Sequence, residues 1–158
     1  MDRDEVLRVL RTLEDAGVDY VLIGAMAMGL HGVVRATEGM DLLLLADRAN
    51  IERVRSALRE AYSGDASVED IRSSDLLGDY PAVRYFPPSG DLYLDLLTKL
   101  GDMATFESVE AETMVVEGIR VRVATPSALY KLKKGTMRAL DHRDAAALRD
   151  RFDLGGDD

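Results

Sequence analysis

The chain has 158 residues and a formal charge of −9, from 29 acidic against 20 basic residues, and it contains no cysteine. That length suits one domain, and the absence of thiols excludes a disulfide scaffold, a Cys-ligated metal centre and a cysteine nucleophile. The acidity argues against broad electrostatic attachment to DNA, RNA or anionic lipid, and a 47% hydrophobic share with only 4 prolines reads as a globular chain.

Residues 2–16 carry Val6, Leu7, Val9, Leu10 and Leu13 at helical spacing among Arg and Glu, and Gly17 follows as a stop. The run Tyr20, Val21, Leu22, Ile23 favours a strand, Gly24 a tight turn, and Ala25 to Met28 a short helix that ends by Gly32. Residues 40–46 hold four consecutive leucines with apolar residues at both parities, as in a central strand covered on both faces, and Asp41 is the one charge in it. Residues 50–62 return to an amphipathic helix with Ile51, Val54, Leu58 and Ala61 on one face. The polar stretch 63–79 is expected to hold a helical turn or two around 71–77. Strands over 82–86 and 91–97 flank the turn-rich Pro87-Pro88-Ser89-Gly90, and strands over 114–116 and 119–123 flank Glu117-Gly118, so each pair is expected to form a hairpin. Thr125 and Pro126 supply an N-cap and a first helical residue, and helices over 127–134 and 141–152 close the chain before a Gly-Gly-Asp-Asp tail.

This order lacks the steady alternation of a doubly wound fold and predicts an α/β (α+β) protein with a single mixed β-sheet flanked by helices. One domain over 1–158 is expected, with the sheet within 18–124 and the C-terminal helices within 125–153. The N-terminal residues lack the basic-then-apolar form of a secretion signal, and the longest uncharged run, 15 residues with three glycines, is too short and interrupted to span a bilayer. A cytoplasmic protein with no membrane partner is the expectation.

Asp41 and Asp95 each interrupt an apolar strand, and a buried unpaired charge is costly. In the second strand, alternation puts Asp91, Tyr93 and Asp95 on one face and leucines on the other. Two readings are open. The carboxylates share a partner such as Mg²⁺ held with substrate phosphates, or each caps a turn or pairs with Arg35, Arg84 or Lys99.

The stretch Leu22-Ile23-Gly24-Ala25, thirteen intervening residues, then Gly39-Met40-Asp41-Leu42 resembles the signature of the nucleotidyltransferase superfamily related to DNA polymerase β. With His31-Gly32, Arg35 and Thr37, the run is similar more narrowly to small bacterial AbiE-type abortive-infection toxins and minimal nucleotidyltransferases. The resemblance implies metal-dependent transfer of a nucleoside monophosphate from NTP to a hydroxyl of RNA, protein or a small molecule, with Mg²⁺ or Mn²⁺ as cofactor. By the same resemblance Asp41 and Asp95 are the catalytic, metal-binding carboxylates. Gly24, Ala25, Arg35, Thr37 and Lys133 contact the nucleotide, and an antitoxin is a possible class of partner. A glycine turn at a helix start gives backbone N–H groups access to phosphate.

Two positions depart from the pattern. Ala25 stands for Gly or Ser, and Gly39 for the first metal-binding Asp. Glu38 points to the opposite face of a regular strand and could substitute only through a bulge, so catalysis is expected to be weak or absent without it, leaving a binding partner as the alternative function. Near the C-terminus, Lys133 with Thr136 and Asp141 with Asp144 echo two short motifs of the same superfamily, although Asp141 suits an N-cap and Asp144 the third residue of a helix. His31 is expected to be packed and hydrogen-bonded, and of the basic residues Lys131, Lys133, Lys134, Arg138 and Arg143, Lys133 is the one expected to meet a phosphate.

Overall fold

The computed structural model describes residues 2–33, 37, 39–79, 81–100, 104–134 and 139–154, the side chains of 134 and 139–142 excepted. Helix α1 (Arg3–Asp15) starts where the Asp2 side chain accepts the Asp4 N–H at 2.9 Å. Strand β1 (Tyr20–Ile23) then runs directly into α2 (Gly24–Leu30), followed by β2 (Gly39–Leu44) and α3 (Arg48–Ala61). A short 3-10 helix (Ala66–Asp70) and α4 (Ser73–Leu76) lead to β3 (Ala82–Tyr85), β4 (Tyr93–Leu97) and the small strands β5 (Lys99–Leu100) and β6 (Ala104–Thr105). The hairpin β7 (Ala111–Val116) and β8 (Ile119–Ala124) precedes α5 (Pro126–Lys134) and α6 (Ala139–Phe152).

The main sheet has six strands in the order β3-β4-β2-β1-β8-β7, parallel at β2/β4 and β1/β8 and antiparallel elsewhere, which is the mixed α+β architecture expected. The central strands β1 and β2 are almost wholly buried, hence their apolar residues at both parities. Register sorts the side chains. Met40, Leu42, Leu94, Leu96 and Leu22 share one face and are fully buried, whereas Ile23, Asp41, Asp95 and Arg84 fall in a single row across the other face. Helix α1 packs on α3 and β8, α2 on β1 and β2, and α5 on α6.

Several boundaries differ from the sequence reading. Helix α3 starts at Arg48, capped by Asp47, and β7 extends back to Ala111 because its polar residues face outward from an edge strand and leave no hydrophobic alternation to see. Asp141 lies within the described part of α6 (Ala139–Phe152) and is not its N-cap. Thr125 caps α5 as expected, accepting the Ala128 N–H at 3.2 Å.

Asn50, at the start of α3, is fully buried and fixes where β1 begins and β2 ends. Its side chain accepts the Asp19 N–H at 2.8 Å and donates to the Asp19 and Leu45 carbonyls at 2.9 and 3.1 Å. Asn50→Ala leaves the Asp19 N–H without its partner, while the Asp19 and Leu45 carbonyls keep the N–H groups of Leu45 and Asp47, and is expected to lower unfolding free energy by about 1–3 kcal/mol, read from urea denaturation.

Candidate functional site

Strands β2 and β4 are parallel and paired so that Asp41 faces Asp95 and Gly39 faces Tyr93. Neighbouring strands lie about 4.8 Å apart, so carboxyl groups at paired positions of one face come within reach of each other. The two aspartates sought from sequence do converge, and on the sheet face from which α2 departs: a Cβ placed on Gly24 would lie 2.1 Å from Asp41 Oδ2.

Burial and then the negative charge of Asp95, which also shares a hydrogen bond with it, push the Asp41 carboxyl up to about 6, against weaker opposing pulls from Lys133 and Arg84. When protonated, Asp41 donates to the Asp95 carboxylate. Asp95 is held from its other side, where Arg84 on β3 donates from Nε to Oδ1 at 2.6 Å and from Nη2 to Oδ2 at 3.0 Å. Of the two sequence readings, the pairing with Arg84 is the one seen for Asp95, which also adjoins Asp41. Lys133, on α5, is close enough to influence Asp41 but is itself bonded to Asp144 of α6 at 3.3 Å, both side chains being largely buried. Asp144 thus serves as the counter-charge of Lys133 and not as an early residue of its helix.

Gly24 has φ +75°, a conformation that favours glycine, and any side chain there would strike the Asp41 carboxylate. Ala25 follows it, buried, in the first turn of α2. Thr37 sits at the mouth of β2, where its hydroxyl accepts the Gly39 N–H and donates to the Gly39 carbonyl, both at 3.1 Å, so it shapes the entry to the strand. His31 Nε2 donates to the Ala124 carbonyl at 2.8 Å and its ring meets Phe152 edge-on, the packed role expected. Arg35, Glu38, Thr136 and Arg138 lie outside the described residues, as do the side chains of Lys134 and Asp141.

Of two further contributors, Tyr93 was given no role from sequence and Arg84 was named only as a pairing candidate. A Cβ on Gly39 would fall 2.4 Å from Cε2 of the Tyr93 ring, which fills the space where the resembled signature has its first carboxylate. The Arg84 guanidinium lies over that same ring, its Cζ 4.4 Å from the centroid. A signal for the first existed: Tyr93 precedes Asp95 by the same offset as Gly39 precedes Asp41, so parallel strands in register must oppose them.

A two-ion centre needs several carboxylate ligands around the ions. The described residues do not fit one. Asp41 and Asp95 are adjacent, Tyr93 occupies the third position, Arg84 covers both oxygens of Asp95, and among the described residues no three acidic, His or Cys side chains gather to hold a metal.

No family model matches the chain, and no curated protein matches it. Among solved structures it is similar to an antigenic nucleotidyltransferase-like protein from Paracoccidioides brasiliensis, with a TM-score of 0.59 and 17% identity over 96% of this chain and 78% of that one. The chain has a nucleotidyltransferase-like fold. No helix among the described residues is long and apolar enough to cross a membrane.

Two outcomes follow from this geometry. Asp41 ordinarily titrates near 3.8 and in the fold near 6, so below about 4 both folded and unfolded chains carry its proton, while from there to about 6 the unfolded chain releases it first and stability falls as pH rises. Asp41→Asn is expected to flatten that slope and to add about 1–3 kcal/mol at pH 8 with little change at pH 4, as measured by urea melts at both values. Gly39→Asp alone is expected to destabilise by about 1–3 kcal/mol because the Tyr93 ring must leave, and the double change Gly39→Asp, Tyr93→Ala to recover part of the loss, as read by thermal denaturation.

Proposed function

We propose that this chain is a nucleotidyltransferase-like protein in which nucleotidyl transfer is lost or strongly impaired and which acts as a binding partner, as a protein of toxin–antitoxin type would. The observation that carries this reading is the Tyr93 ring seated beside Gly39, in the space that a metal-binding carboxylate would need. The Arg84 grip on Asp95 supports it, since it engages both oxygens that an ion would require.

A second reading keeps the transfer of a nucleoside monophosphate from NTP, with Mg²⁺ or Mn²⁺, to a hydroxyl of RNA, protein or a small molecule. What favours it is retention of the Asp41 and Asp95 pair, a juxtaposition of like charges that a purely structural sheet has no need of. Nucleotide binding through Gly24, Ala25 and Lys133 belongs to this reading.

Incubation of the chain with each labelled NTP, Mg²⁺ or Mn²⁺, total tRNA and cell lysate separates the two. The expected result is no label on RNA or protein above the level given by Asp41→Ala. Transfer that Asp41→Ala abolishes would establish the second reading and overturn the first.

A further inference from the structure

Arg84, Tyr93 and Gly39 form one assembly around Asp95. The guanidinium grips the carboxylate at two points, 2.6 and 3.0 Å, and rests on the Tyr93 ring, which in turn fills the space at Gly39. In the sheet, Arg84 is paired with Asp95 and Asp95 with Asp41, so the one positive member of the row stands beside Asp95 and is separated from Asp41 by one strand. We propose that Arg84 is the resident cation of this site, so that the Asp95 carboxylate is charge-balanced without a divalent ion and such an ion reaches it only by displacing the guanidinium. An arginine suits the task because it is always charged, its planar fork matches a carboxylate, and it stacks on an aromatic face. Its side chain is 51% exposed and that of Asp95 24%, so displacement needs no opening of the core. The inference deepens the reading of an altered ion site, but it concerns ion affinity alone and is measured without nucleotide.

The test is Mn²⁺ binding to the full chain, followed by electron paramagnetic resonance at fixed pH and ionic strength, with circular dichroism confirming the fold of each variant. Arg84→Gln is expected to bind Mn²⁺ at least about fivefold more tightly than the wild type, the factor that corresponds to loss of a competing partly exposed ion pair. Arg84→Lys, which lacks the two-point grip, is expected to fall between them and carries the comparison should the Gln variant not fold. Adding Asp41→Asn to Arg84→Gln should remove the gain. Equal affinity in wild type and Arg84 variants, no saturable binding by any of them, or a gain that survives Asp41→Asn overturns the proposal. Label transfer by the wild type would sink the reading of impaired transfer and leave this comparison standing, whereas equal Mn²⁺ affinity would sink only the role of Arg84.

Discussion

Two carboxyl groups of like charge, side by side on adjacent parallel strands and partly withdrawn from water, set the terms for everything around them. Such a pair is unfavourable in a sheet whose other strand neighbours are leucines, and each surrounding feature offsets part of that penalty. Asp41 retains a proton more readily than an ordinary carboxyl group and shares it with Asp95. Arg84 answers the charge of Asp95, and Gly24 leaves the space into which the Asp41 carboxyl projects. The attraction of Lys133 reaches Asp41 from α5, and Asp144 of α6 in turn balances Lys133, so the last two helices are electrically tied to the centre of the sheet.

Fold and chemistry part company here. The fold is nucleotidyltransferase-like, while the ring of Tyr93 fills the space beside Gly39 and the guanidinium of Arg84 holds both oxygens of Asp95, where ion chemistry would need free oxygen ligands and open space. The opposite face of the sheet is leucine-lined and fully buried, and ties such as Asn50 lie away from the aspartates, so the fold does not depend on ion chemistry at the site.

Much of this was legible in the sequence, for identifiable reasons. The apolar strand runs, the turn chemistry at Pro87 to Gly90 and the Thr125-Pro126 cap are local signals, and each corresponds to an element of the structure. The isolation of Asp41 and Asp95 in leucine-rich strands marked them out, since a charge in such surroundings demands a partner. What local pattern could not supply was register. Whether Asp95 would stand opposite Asp41 or a residue away depended on the β2/β4 pairing, and the juxtapositions of Tyr93 with Gly39 and of Arg84 with Asp95 depended on it too. The assignment of Asp144 failed for a related reason: a good first-turn residue by sequence became, once α5 and α6 packed together, the buried counter-charge of a lysine.

The ring beside Gly39 also bears on how this protein can change. An acidic side chain could be placed at Gly39 by a single codon change, but the volume it would enter is held by an aromatic group that also supports an arginine. Any route to an acidic side chain there therefore passes through a crowded or a hollowed intermediate. Gly39 and Tyr93 behave as a latch, in which neither position can change size without the other.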